Sequence, residues 1–208
     1  IETGEQVAGK ELQPYGPDST PSDTNQEGDI AVDGLGNFYC LTSYSTGSFT
    51  FALTKVNKYG SQQWQVTHAG VARSVCWNPT KDRLGVVGGN VFGTSKTFAE
   101  LSVSDGSAVN SQDAYGNSPE SISIWNVVDV DDKGGYRLFR SNTSNNVARL
   151  TEATTPAEDW VASHGVGVSD QKGASCAAVY SLNPENSTSK RQTVRIAVSG
   201  GVVKEFDD

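Results

Sequence analysis

The chain has 208 residues, with 16 basic against 24 acidic side chains and a net charge of -8, so it lacks the positive footprint that binding to nucleic acid requires. Apolar residues at 36% together with 22 glycines reach the ordinary globular range and argue against a disordered chain. Charged residues make up only 19%, and 24 Ser with 17 Thr take their place, which suits short strands and turns better than helices.

The first residue is Ile and Met is absent throughout, which points to a processed, excised or partial chain. No apolar run approaches the roughly 20 residues of a membrane helix, so no span of a bilayer is expected. Residues 1–7 read as a turn and an outer strand, and residues 8–28 as a polar connector rich in Pro, Ser and Asp.

From residue 29 onward one outline repeats: an apolar strand, a tight polar turn and a second apolar strand. It occurs at Ile30 to Thr42, Ser74 to Val87 and Val127 to Phe139. A fourth copy runs from Cys176 to Leu182 and from Thr193 to Val198, with a long insertion, 183–192, in place of the turn. A second hairpin follows each of the first three, with turns at Gly60, Gly106 and Pro156. A period of about 40 to 50 residues with four short strands per unit predicts an all-β chain folded as a β-propeller of about four four-stranded blades. The blades are assigned to 29–70, 71–116, 117–167 and 168–208 of a single domain. The last repeat ends at its third strand, Val202 to Phe206. Either residues 1–7 complete that blade and close the ring, or the chain is part of a larger propeller.

The pleat places Ile30 with Val32, and Phe38 with Cys40, on one face of the first blade. Every blade is therefore expected to bury both faces against its neighbours, with Trp64 and Trp160 packed between blades. Val109 is aligned with those two tryptophans.

The first repeat carries Asp33-x-x-Gly36-Asn37-x-Tyr39 and then Lys55-x-x-x-x-Gly60-x-x-x-Trp64. This resembles a bacterial and phage β-propeller repeat family found in surface proteins and in virion structural proteins of marine tailed phages. The resemblance covers residues 29–66 well. The later repeats depart from it, with Asn78-Pro79 in place of the Asp-Gly turn. It implies a scaffold and brings no catalytic residues.

Candidate sites are few. Asp129, Asp131 and Asp132 have calcium-like spacing but lack the downstream Glu of a calcium loop, and they occupy the slot of an acidic hairpin turn. His68 and His164 recur in register, each four residues after a Trp, and are expected to bond backbone where one blade passes to the next rather than to bind metal. Cys40, Cys76 and Cys176 lie in apolar stretches and read as inert thiols. Asn142 and Asn186 fit the glycosylation sequon and mark surface loops. Gly88-Gly89-Asn90 lacks the Lys of a phosphate loop, Lys190-Arg191 is a solvated pair, and Glu158-Asp159 points to opposite faces.

The expected function is a non-enzymatic structural or interaction module without metal or cofactor. It would serve assembly or adhesion on a virion, as a phage tail or capsid-associated protein, or on a bacterial surface. Its partners would be other structural proteins of the same assembly, with surface glycan as a further class, and neither nucleic acid nor membrane. The alternative is a ligand-binding or catalytic propeller, quinone-dependent or glycan-processing, with a site at the ring axis.

Overall fold

In a computed structural model of the protein, the described residues are 27–45, 49–91, 96–112, 125–131, 133–140, 146–163, 176–181, 192–198 and 202–207. They form only strands and turns. The first sheet comprises β1 (Glu27–Val32), β2 (Phe38–Ser45), β3 (Phe49–Val56) and β4 (Gln62–Ala69), each antiparallel to the one before. The second comprises β5 (Val71–Asn78), β6 (Arg83–Val91), β7 (Lys96–Ser102) and β8 (Ala108–Gln112). The third comprises β9 (Trp125–Val130), β10 (Tyr136–Arg140), β11 (Asn146–Leu150) and β12 (Glu158–Ser163). A three-stranded sheet of β13 (Cys176–Ser181), β14 (Gln192–Val198) and β15 (Val202–Asp207) follows. The fold is thus all-β, and the described residues form three four-stranded antiparallel sheets and one of three strands, each built from consecutive strands. β1 begins at Glu27, inside the stretch assigned to the connector.

Local chemistry explains the hairpins. In the turn after β1, the Asp33 N–H donates to the Asn37 carbonyl and the Gly36 N–H donates to the Asp33 carbonyl. The same pair of bonds recurs between Asn57 and Ser61 or Gly60 and between Asp131 and Gly135 or Gly134, and in a turn one residue longer between Ser102 and Ser107 or Gly106. Each of these turns needs a left-handed residue near its end. At Gly106, φ is +73°, and a Cβ would lie 2.4 Å from Val66 Cγ1, so the turn requires glycine both for its dihedral and for close approach to the first sheet. The turn after β5 is built differently: Asp82 takes the left-handed conformation, at φ 49°.

Sheets stack through their innermost strands, β1 beside β5, β5 beside β9 and β9 beside β13. Between the first two sheets, Tyr39, Leu41, Phe51 and Leu53 meet Val75, Leu84, Val86, Ala99 and Leu101. Between the second and third, Cys76, Val87 and Phe98 meet Val128, Tyr136, Leu138, Ala148 and Leu150. Each buried Leu, Val or Phe contributes about 1.5–3 kcal/mol, so these two apolar layers supply most of the cohesion. The second sheet is buried on both faces, as expected from its continuous apolar runs.

The first sheet departs from that expectation in part. Its face toward the second sheet is buried, and on the opposite face Ala52, Thr54 and Val56 are buried while Ile30, Val32 and Phe38 are exposed.

Strand register corrects the alignment of the outer strands as well. Trp64 pairs with Lys55 and Trp160 with Arg149, whereas Asn110 pairs with Glu100. All three outer hairpins shift register beside these pairs, leaving Gln63, Val109 and Asp159 as the extra residues. Asn110 therefore stands where the tryptophans stand, and Val109 is the bulged residue. Counting residues from the turn could not reveal this, because the bulge adds one residue without altering the composition of the strand.

The contact between the second and third sheets leaves little tolerance at Gly85, where a Cβ would lie 2.5 Å from Tyr136 Cε1. The Tyr136 ring is fully buried and packed on Phe98 at 4.8 Å between centroids, so it has nowhere to move. Gly85→Ala is expected to lower unfolding free energy by about 1–3 kcal/mol, read as an earlier midpoint in urea denaturation at unchanged slope.

Candidate functional site

The polar chemistry of this protein lies in the seams between sheets. At the innermost strands, the Ser74 hydroxyl donates to Asp29 Oδ2 at 2.7 Å and accepts from the Val128 N–H at 3.2 Å. One side chain of β5 thus ties β1 to β9. Asp29 Oδ2 also accepts from the Val75 N–H at 3.0 Å. Nearby, the Ser43 hydroxyl donates to the Ala72 carbonyl and accepts from the Ala72 N–H. Side chains of the first sheet therefore satisfy backbone groups of β5 that would otherwise be buried without partners.

Two acidic turns act as clamps. Asp33 accepts the N–H groups of Leu35 and Asn37, the Asn37 amide and the Tyr39 hydroxyl, all at 2.7–2.9 Å. Burial opposes its ionisation, but the bonds from Asn37, Tyr39 and Leu35 outweigh burial and hold the carboxyl below its ordinary value. Burial pushes the Tyr39 phenol up, and its bond to Asp33 pushes the same way, so it remains a neutral donor.

Asp131 repeats the arrangement in the third sheet. Its Oδ1 accepts the N–H groups of Lys133 and Gly135, at 3.0 and 2.8 Å, and its Oδ2 lies 2.9 Å from Arg149 Nε and 3.3 Å from Arg137 Nη1. Arg137 takes the place of Tyr39, six residues after the turn's acid. Arg149 also pairs with Glu152 at 2.9 Å and with Asp159. Burial alone would lower the Arg149 pKa, but its carboxylate partners Asp159, Asp131 and Glu152 reverse the direction and keep it charged.

A third cluster joins the second and third sheets around Glu100, which is buried. Its Oε1 accepts from Lys81 Nζ at 3.1 Å and from the Tyr136 hydroxyl at 2.8 Å, and its Oε2 accepts from the Asn110 amide at 2.8 Å. Lys81 reaches on to the Ala153 carbonyl and Asn110 to the Thr154 carbonyl, both in the third sheet's outer turn. The Asn78 amide donates to the Gly134 carbonyl at 2.9 Å. Between the first and second sheets, Lys55 Nζ and Trp64 Nε1 both donate to the Val103 carbonyl.

His68 belongs to that same seam. Its Nε2 donates to the Gly106 carbonyl at 3.0 Å and its ring packs on Phe51, with centroids 5.1 Å apart. The carbonyl only accepts, so Nε2 carries the proton. Burial lowers the His68 pKa, the bond to Gly106 raises it by less, and the imidazole stays below its ordinary value near 6.5.

The structure places the remaining sequence candidates as follows. The Asp131 oxygens lie against two guanidinium groups, which would repel a cation; Asp129 Oδ1 accepts the adjacent Val130 N–H at 2.8 Å; Asp132 lies outside the described residues. Among the described residues no group of three or more His, Cys, Asp or Glu side chains is arranged to hold a metal ion. Cys40 and Cys76 are free thiols, and burial raises both pKa values, so neither is a ready thiolate. Gly88 and Gly89 sit in β6 paired with Ala72 and Val71, and a Cβ on Gly88 would lie 2.1 Å from the Val71 carbonyl oxygen, which makes this a strand-contact glycine. Asp159 reaches Arg149 from the bulge of β12. His164, Asn142, Asn186, Lys190 and Arg191 lie outside the described residues, as do the side chains of Glu158, Trp160 and Cys176.

Glu100, Lys81, Tyr136, Arg137 and Arg149 were not marked by sequence analysis. The signal available was a single charge within an apolar run, as in Phe98-Ala99-Glu100-Leu101 and Tyr136-Arg137-Leu138. Such a residue on a strand buried on both faces must find a partner.

Fold and seams together define a class: an all-β protein of serial antiparallel sheets joined by buried polar clusters. No protein-family model matches the chain, and no curated protein matches it. Among solved structures it is similar to a protein of unknown function from Bacteroides caccae, at 11% identity and a TM-score of 0.49 over 88% of this chain and 62% of that one. It is also similar to Mala s 1, the major allergen of Malassezia sympodialis, at 13% identity and a TM-score of 0.48 over 86% of this chain and 53% of that one. The matched region thus spans less than two thirds of either structure.

Two outcomes follow from these seams. Asp131→Asn leaves two buried guanidinium groups facing a neutral amide and is expected to cost about 3–5 kcal/mol, measured by chemical denaturation at neutral pH. For His68, the unfolded chain takes up a proton at a higher pH than the folded one. Its contribution to stability is therefore full above about pH 6.5 and lost as pH falls through the depressed folded value. A stability series from about pH 7 to pH 5 should show a smaller decline for His68→Gln than for the parent.

Proposed function

We propose that the chain is a β-propeller module with a structural and interaction role rather than a catalytic one. The observation that carries this is where the reactive side chains go. His68, Asp131, Glu100, Lys81 and Tyr136 are each bonded across or beside a seam between sheets, so the groups suited to acid–base chemistry serve cohesion. The propeller reading draws on four consecutive sheets whose inner strands lie side by side in chain order. In it, residues 1–7 supply the fourth strand beside β15 or further blades belong to a longer protein.

Assembly on a virion or a bacterial surface is the setting that the resemblance of residues 29–66 suggests, with structural proteins of the same assembly as partners and surface glycan as a further class. Fold alone does not specify activity, so the test lies in particle composition. Quantitative mass spectrometry of purified particles and of cell-surface fractions from the source should recover the chain at a fixed ratio to a known structural protein. Its absence from both fractions would refute the assignment.

A further inference from the structure

The Glu100 cluster holds an amine, a carboxamide and a proton carrier in one hydrogen-bonded row. Lys81 Nζ donates to Glu100 Oε1 at 3.1 Å, and Asn110 Nδ2 donates to Glu100 Oε2 at 2.8 Å, so the two nitrogens occupy the two oxygens of a single carboxylate. They also share a second support. Nζ donates to the Ala153 carbonyl at 2.7 Å and Nδ2 to the Thr154 carbonyl at 3.0 Å, consecutive residues in the outer turn of the third sheet. Held by one carboxylate on one side and by neighbouring carbonyls on the other, the Lys81 amine and the Asn110 amide lie side by side. Both partners of Nδ2 are acceptors, which fixes that nitrogen, rather than the amide oxygen, against Glu100. Water is largely excluded: the Lys81 and Glu100 side chains are 13% and 1% exposed. The buried Tyr136 closes the site, with its hydroxyl on Oε1 at 2.8 Å and its ring centroid 5.2 Å from Nζ, and Phe98 packs against that ring. An ion pair needs only Lys81 and Glu100; the carboxamide on the second oxygen turns the pair into the parts of an acyl transfer.

We propose that Lys81 and Asn110 become joined by an intramolecular amide bond, formed when Lys81 Nζ displaces the side-chain nitrogen of Asn110 with Glu100 carrying the protons. Nζ gives a proton to Glu100 Oε1 and its freed lone pair attacks Asn110 Cγ. Protons leave Nζ through Oε1 and reach Nδ2 through Oε2, the Cγ–Nδ2 bond breaks, and the nitrogen departs. Of the three protons on the Lys81 ammonium, one stays on the new amide and two leave with Nδ2 as ammonium, so Glu100 ends as the carboxylate it began as. No oxidant or co-reactant is needed, and fixed neighbours replace the chance encounter that makes such a reaction slow in solution. The bond encloses β6 and β7 and ties the turn after β5 to the outer strand β8. It restricts the unfolded chain as a disulfide does, in the sheet that is held between two others.

Intact-mass spectrometry of the folded 208-residue chain, with peptide mapping by tandem mass spectrometry, tests this. The expected result is a mass lower than that of the sequence by one ammonia molecule, together with a branched peptide that joins the segments containing Lys81 and Asn110. Lys81→Arg, Asn110→Ala and Glu100→Gln should each keep the ammonia and give no branched peptide, with folding followed by circular dichroism. Lys58→Arg, in the exposed turn after β3, should still lose it. The parent chain decides the matter even where a variant does not fold: its full sequence mass after prolonged incubation at neutral pH overturns the proposal. So does a loss of ammonia without the branched peptide, as cyclisation of an asparagine to a succinimide produces, or a folded Glu100→Gln variant that still forms the bond. The outcome is independent of the propeller reading, since every residue involved belongs to the second and third sheets and their turns.

Discussion

The Ser74 hydroxyl joins three sheets. It donates to Asp29 of β1, accepts from the Val128 N–H of β9, and is itself part of β5. Ser74 is buried, so a polar group here would be costly unless both of its bonding directions were used. The apolar layers supply the cohesive energy, but they do not specify which strand lies opposite which. The Asp29–Ser74–Val128 chain and the Ser43–Ala72 pair do so by fixing β1, β5 and β9 relative to one another.

Farther from the innermost strands, the same constraint takes other chemical forms. At the first seam it is met by donors on carbonyls: the Trp64 indole and the Lys55 ammonium on Val103, and the His68 imidazole on Gly106. At the second it is met by a buried carboxylate, Glu100, with an ammonium, a phenol and an amide around it. In the third sheet, on the face that carries Asp131, two arginines share that acid. One geometric position, opposite the second strand's inner row, holds Lys55, Glu100 and Arg149 in turn. Its charge changes sign from sheet to sheet: Lys55 and Glu100 bond across a seam, while Arg149 bonds Asp131, Glu152 and Asp159 of its own sheet. That variation hides the repeat in the later blades.

The first sheet's face turned away from the second is unevenly covered: Ala52, Thr54 and Val56 of β3 are buried, whereas Ile30, Val32 and Phe38 of β1 and β2 are exposed.

Alternation of apolar residues, the Asx and Gly turns and the period of the hairpins were legible in the sequence, because they depend on contacts within a few residues. Asp33, Asn57, Gly60 and Gly106 announce their turns by identity alone. The clusters around Glu100 and Asp131 were not legible, since Lys81, Tyr136 and Asn110 come from a turn and two separate strands and converge on Glu100 only once two sheets stack, and Arg137 and Arg149 meet Asp131 only once β10 and β11 pair. The exchange of Val109 for Asn110 escaped for a related reason: a bulge is a matter of pairing. By itself the sequence determined an all-β chain of repeated hairpins, through local pleat and turn chemistry. Only the tertiary structure decided which buried polar groups meet and which apolar residues stay exposed, because both follow from burial between sheets distant in the chain.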